Sequence, residues 1–144
     1  PNMASAVSVT GNASVQIQTA ITASQTQQMN FGTVAPAATA GVVTLTPAGQ
    51  TSSPTLATYG TPAAGQFTIT AQPSTALNVT FADGTVTNGA NTMTVDTFTS
   101  TSTPASNTTD ASGNLALNVG ANLNVGANQA AGTYNGNYTV TVNY

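Results

Sequence analysis

Lysine, arginine, histidine, glutamate, cysteine and tryptophan are all absent from this 144-residue chain. Its only charged side chains are Asp83, Asp96 and Asp110, and the formal net charge is −3. Each absence excludes something. Without histidine, cysteine, lysine or glutamate, most general bases, nucleophiles and metal ligands are missing, so the chain is not expected to be an enzyme. Without lysine or arginine, phosphate neutralisation fails and nucleic acid is excluded as a partner, as are anionic lipid surfaces. Without cysteine there is no disulfide and no thiolate metal site. No apolar run approaches the ~20 residues needed to span a membrane, so membrane insertion is not expected. Trypsin has no cleavage site here, which suits a secreted protein exposed to proteases.

Threonine, alanine, asparagine, valine, serine and glycine remain. The hydrophobic fraction is 40% and much of it is alanine, so the core must rest on four Phe, four Tyr, three Met and the aliphatic residues. Low hydrophobicity signals disorder when net charge is high. With 2% charged residues and abundant Thr and Val, ordered β-structure is the expectation.

Two-residue alternation dominates, and no segment has a helical period. At the C-terminus Tyr134, Gly136, Tyr138, Val140, Val142 and Tyr144 share one face, with Asn135, Asn137, Thr139, Thr141 and Asn143 on the other. At the N-terminus Met3, Val7, Val9, Ala13, Val15, Ile17 and Ile21 all occupy odd positions. One strand over 3–21 would run about 60 Å, far beyond the usual length. Gly11-Asn12 is a hinge signal, so the pattern predicts two strands in line, 3–10 and 13–21. Shorter strands are expected at Val42–Thr46, Gln66–Ala71, Leu77–Phe81, Thr92–Phe98, Leu115–Val119 and Leu123–Val125. Turns are expected at Asp83-Gly84, Asn88-Gly89 and Ser112-Gly113, and an exposed loop over Thr99–Thr109. The repeat Leu117–Asn122/Leu123–Asn128 reads as a bulged strand and turn, being too short for a solenoid. Many short strands without helices predict an all-β, immunoglobulin-like antiparallel sandwich.

No site for catalysis, cofactor or metal emerges. Asp83 and Asp110 sit beside turn residues, Asp96 lies within a strand pattern, and the spacing lacks a calcium-loop motif. The Asn-x-Ser/Thr sequons at Asn12, Asn78, Asn107 and Asn137 are chance-level matches in so Thr-rich a chain. Thr-x-Thr pairs ranked on a flat face would suggest ice binding. Here their spacing is irregular, and threonine is simply the common outward strand residue.

The elements Met29-Asn30-Phe31-Gly32-Thr33-Val34, Gly41–Leu45, Gln66–Thr70, Met93–Thr99, Leu117–Val125 and the closing Gln129–Tyr144, in that order, resemble a bacterial family of secreted domains of unknown function. That family is similar to spore-coat-U-like, archaic chaperone–usher pilins. The resemblance covers about residues 13–144. It implies a sandwich lacking one strand, completed by a donor strand from a neighbouring identical subunit in a homopolymer. A periplasmic chaperone and an outer-membrane usher are the further partners it implies, and an extracellular filament on the bacterial surface, serving adhesion or biofilm, is the implied product. On this reading residues 1–11 are the donor-strand extension and 12–144 the pilin-like domain. The donor strand carries Met3, Ser5, Val7 and Val9, and Gly11 and Asn12 form the hinge. The candidate acceptor-groove strands carry Val15, Ile17 and Ile21 near one end of the chain and Tyr138, Val140, Val142 and Tyr144 at the other. The alternation of residues 3–10 agrees independently, because a free segment of that kind needs a sheet edge. The alternative expectation is a monomeric secreted β-sandwich, ice-binding or otherwise surface-binding, with residues 3–10 paired to their own domain.

Overall fold

The computed structural model describes residues 5–144 and contains no helix among them. Ten strands form: β1 (Thr22–Gln27), β2 (Thr33–Ala35), β3 (Gly41–Leu45), β4 (Thr51–Ser52), β5 (Ala57–Tyr59), β6 (Gly65–Thr70), β7 (Asn78–Asn88), β8 (Asn91–Thr103), β9 (Asn114–Val125) and β10 (Asn135–Asn143). The main sheet runs β1-β6-β9-β8-β7-β10, with β3 attached to β9 and β4 to β3, and β2 and β5 make a small separate pair. All pairings are antiparallel.

The long strands serve both layers. The first half of β9 pairs with β6 and its second half with β3. β8 pairs with β9 along its length, and a bulge between Asp96 and Thr99 turns it from one layer toward the other. Thr97 takes a left-handed conformation there, and its hydroxyl donates to the Asp96 carboxylate at 3.2 Å. The sheet thus folds over on itself into an all-β sandwich, and alternate side chains meet inside. Ile69, Leu115, Leu117 and Val119 pack against Val79, Phe81, Val140 and Val142. Val43, Val95, Leu123 and Val125 form a second cluster with Met29, Phe31 and Met93. An aromatic group joins the layers: Phe81 stacks on Phe98 at 5.3 Å, and Tyr138 lies 5.3 Å from Phe98 and edge-on to Phe67 at 6.2 Å.

Several expected elements differ. Residues 13–21 are not a strand; the described part of the N-terminus, 5–20, pairs with nothing in a ladder, and the first strand begins at Thr22. Asp83-Gly84 is no turn but lies inside β7. A Cβ on Gly84 would come within 2.1 Å of the Asn137 carbonyl, so glycine is needed for close strand approach at the β7–β10 bulge. The turn of the β7–β8 hairpin is at Asn88-Gly89, as expected, with Gly89 at φ 60°. The Leu117–Asn128 repeat is strand through Val125 and then turns at Ala127-Asn128. There is no break between its two copies, and β9 runs on through Gly120, where the Leu45 carbonyl passes too close for any side chain. The expected loop at Thr99–Thr109 is strand up to Thr103. Asp110 does mark a turn, its carboxylate accepting from the Ser112 and Asn114 N–H groups at 2.8 and 2.9 Å.

Candidate functional site

Among the described residues, the first and last strands of the main sheet, β1 and β10, each have one partner only. β1 pairs with β6 and β10 with β7, and their other edges face each other without pairing. Successive antiparallel pairings around the sheet leave β1 and β10 antiparallel to one another. The Thr22 end of β1 therefore lies beside the Asn143 end of β10, and Met29 beside Asn137 and Tyr138. Between the two edges runs a groove. Toward its Asn143 end it opens into a cavity of about 180 Å³ floored by Phe67, Ile69, Val140 and Val142. Toward the other end it widens to about 670 Å³ over Met29, Phe31, Met93, Val95 and Leu123. Tyr138 borders both cavities. None of the three aspartates lines either one.

The walls are unlike ordinary edges. Edge strands are normally shielded by charge, proline or a covering element. Here the two edges flank an apolar floor, and Tyr138, Val140 and Val142 are only half-buried. β1 has the sequence Thr-Ala-Ser-Gln-Thr-Gln and is largely exposed, because nothing among the described residues covers its groove side.

Tyr138 is the most perturbed side chain of the groove. Its hydroxyl is buried and has no hydrogen-bond partner among the described residues. Gly65 makes room for it, since a Cβ there would come within 2.2 Å of that oxygen. Burial pushes the phenol up from 10.0 to about 12. The folded chain thus favours the neutral phenol. The contribution of this group to stability is intact below pH 10.0 and is lost as pH rises toward about 12. Tyr138→Phe is expected to make the alkaline fall in thermal midpoint shallower. It should also raise stability at neutral pH by about 1 kcal/mol, because an unsatisfied buried hydroxyl is removed. Thermal melts against pH check both.

The expected donor residues lie in the extension. Met3 falls outside the described residues, and Ser5 is exposed. Val7 and Val9 are 88% and 91% exposed, and Gly11 and Asn12 are exposed in the same unpaired segment. Of the expected acceptor residues, Tyr138, Val140 and Val142 line the groove and Ile21 packs into the core beside it. Val15 and Ile17 do not: both are 82% exposed and continue the odd-numbered apolar stripe of Val7 and Val9. Tyr144 lies just past the end of β10 and closes the groove end through hydrogen bonds to Gln72 and Thr19. The floor residues Phe67, Ile69, Met29 and Phe31 were not singled out from sequence as site residues. Their only signals were the Phe67/Ile69 alternation and the Met29–Val34 element.

Among the described residues, no three side chains able to hold a metal gather together. No helix there is long and apolar enough to cross a membrane.

Fold and site together define an all-β domain with a groove between two sheet edges and an N-terminal segment, outside any ladder, whose odd positions are mostly apolar. The chain belongs to the family described as Domain of unknown function (DUF4402), whose model matches residues 20–144. The match begins at the residue where the extension meets the sandwich. No curated protein and no solved structure matches the chain.

Proposed function

We propose that this protein is the structural subunit of an extracellular bacterial filament, in which the N-terminal extension of one copy fills the groove of the next. One observation carries the reading: the same chain has a groove with two unpaired edges and an exposed segment patterned to fill it. A strand laid between β1 and β10 would give hydrogen-bond partners to both edges, and its alternate side chains would enter the floor. Val7, Val9, Val15 and Ile17 share the required phase, with the small Gly11 and Ala13 between them. Each buried aliphatic side chain contributes about 1.5–3 kcal/mol, and each backbone hydrogen bond about 0.5–1.5 kcal/mol. Together these rival an association cost of about 4–15 kcal/mol. Slow unfolding of the completed sandwich adds persistence.

Strand direction decides what assembles. A donor antiparallel to β10 leaves the groove at the Met29 end, opposite to the end where each chain's own extension departs. That contact is head-to-tail and propagates without closing. The opposite direction would bring like ends together and close a reciprocal dimer. The filament reading therefore includes a donor antiparallel to β10. The resemblance to pilin-like domains points the same way, and with it come secretion, a chaperone and usher as assembly partners, and a non-catalytic role in adhesion or biofilm.

The surface-binding monomer has one observation in its favour: Thr85 pairs with Thr94 and Thr87 with Thr92, making a block of threonines on β7 and β8. The block does not extend, because the flanking positions on β10 and β9 are Asn137, Asn135 and Asn124. Electron micrographs of the purified protein decide between the two. Filaments one subunit wide are expected; dispersed monomers would reject the proposal.

A further inference from the structure

A segment that fits a neighbour's groove also fits its own, so a filament subunit needs something to prevent self-insertion. We infer that a hydrogen-bonded ring of Tyr144, Thr19 and Gln72 aims the extension away from its own groove and so delivers it to a second copy. This rests on the filament reading above.

The ring joins three separate parts of the chain. The Thr19 N–H and its hydroxyl both donate to the Gln72 side-chain carbonyl, each at 3.0 Å. The Tyr144 hydroxyl donates to the Thr19 carbonyl and accepts from the Gln72 N–H, the latter at 2.9 Å. Gln72 lies just beyond β6, and Tyr144 just beyond β10. Both backbone polar groups of Thr19 are thereby committed to elements other than β1, at the end of the groove where β1 starts.

Self-insertion would require the chain to reverse there. Residues preceding Thr22 would fold back along β1 as a hairpin, and its loop would fall within Gln18–Ile21. The reversal would need the Thr19 backbone groups to turn back toward β1, and the ring already holds them. The local sequence opposes it as well. Tight hairpin loops need glycine, asparagine or aspartate at positive φ. Gln18-Thr19-Ala20-Ile21 contains none, and two of its four residues are β-branched. Ile21 is also anchored in the core beside the groove. Two independent features, the ring and the loop chemistry, therefore bar the same hairpin.

The test compares the full-length wild type with two variants. One carries Tyr144→Phe and Gln72→Ala; the other carries these and an Asn-Gly-Gly insertion between Thr19 and Ala20. Tyr144 is 43% exposed and Gln72 half-buried, so the body should fold in both, and the wild-type circular dichroism spectrum checks this. All three are refolded by dilution, sized by light scattering, and probed with a labelled synthetic peptide of residues 5–18. The expected result is polymer from wild type. The variant with the insertion should give at least tenfold more monomer, and those monomers should refuse the peptide because their grooves are self-filled. The double variant should fall between. Variants that polymerise as wild type does, or whose monomers take up the peptide, would overturn the inference and leave the filament standing. A wild type that stays monomeric and takes up no peptide would remove both.

Discussion

Deleting residues 1–20 is expected to abolish polymers completely and to leave a sandwich that aggregates or takes up a synthetic peptide of residues 5–18. The reason lies in the two edges of the groove. In the intact chain residues 5–20 make no ladder with their own body, so their removal takes no strand out of the sheet. What remains has β1 and β10 unpaired over the half-buried Phe67 and Val140, an apolar floor between hydrogen-bonding edges. Such an edge is a template for non-specific pairing. Adding the peptide should raise the thermal midpoint as binding to the folded state draws the equilibrium. Light scattering and calorimetry measure the two halves of this expectation. Polymers that persist after the deletion would contradict the donor role of the segment.

Single charges in the extension should separate its two faces. Val15→Asp is expected to stop assembly, whereas Gln16→Asp should leave it nearly unchanged. Val15 is 82% exposed in the isolated chain and Gln16 is exposed too, so neither substitution disturbs the body. The difference appears only when the strand is laid in a groove. The odd-numbered side chain then enters a floor with no charged or basic group to receive a carboxylate, while the even-numbered one faces water. Burying an unpaired carboxylate costs several kcal/mol, and about 4 kcal/mol lowers the association constant roughly a thousandfold. Critical concentrations for polymerisation, measured by sedimentation, should differ between the two by that order. Equal behaviour of the two variants would argue against strand insertion.

The parts of the fold that alternation made legible are those whose both faces have a settled environment. Phe67 and Ile69 in β6, Val140 and Val142 in β10, and the β7–β8 turn at Asn88-Gly89 are examples. β1 was hidden because its groove side is uncovered among the described residues, and Thr22–Gln27 shows no apolar face to read. Gly84 reads as a turn residue beside Asp83, yet it serves close backbone approach by Asn137, as Gly120 does by Leu45. Composition cannot tell those two uses of glycine apart. The stripe from Val7 to Ile21 posed a different problem. Alternation reports that one face will be buried and not in which chain. Ile21 is half-buried against its own core, whereas Val15 and Ile17 lie with Val7 in the exposed extension.

The missing charges fit the same account. In a polymer every surface charge repeats along the fibre, and a Thr/Asn surface keeps that repulsion small. Cohesion by apolar contacts and backbone hydrogen bonds is little affected by salt, and Tyr138 in the groove keeps its proton until about pH 12.

Because the chain contains no cysteine, disulfide trapping reads the central claim directly. Two single variants, Val15→Cys in the extension and Ala23→Cys on the groove side of β1, are mixed, assembled and oxidised. The same is done with cysteine at 7, 9, 13 and 17 in turn, and at 16 as the out-of-phase control. The account predicts a disulfide between the two different chains for at least one odd-numbered position and none for position 16. When both cysteines are built into one chain, it predicts a ladder of covalent multimers. A double variant that closes its disulfide within single chains, or no cross-link at any position, would contradict it.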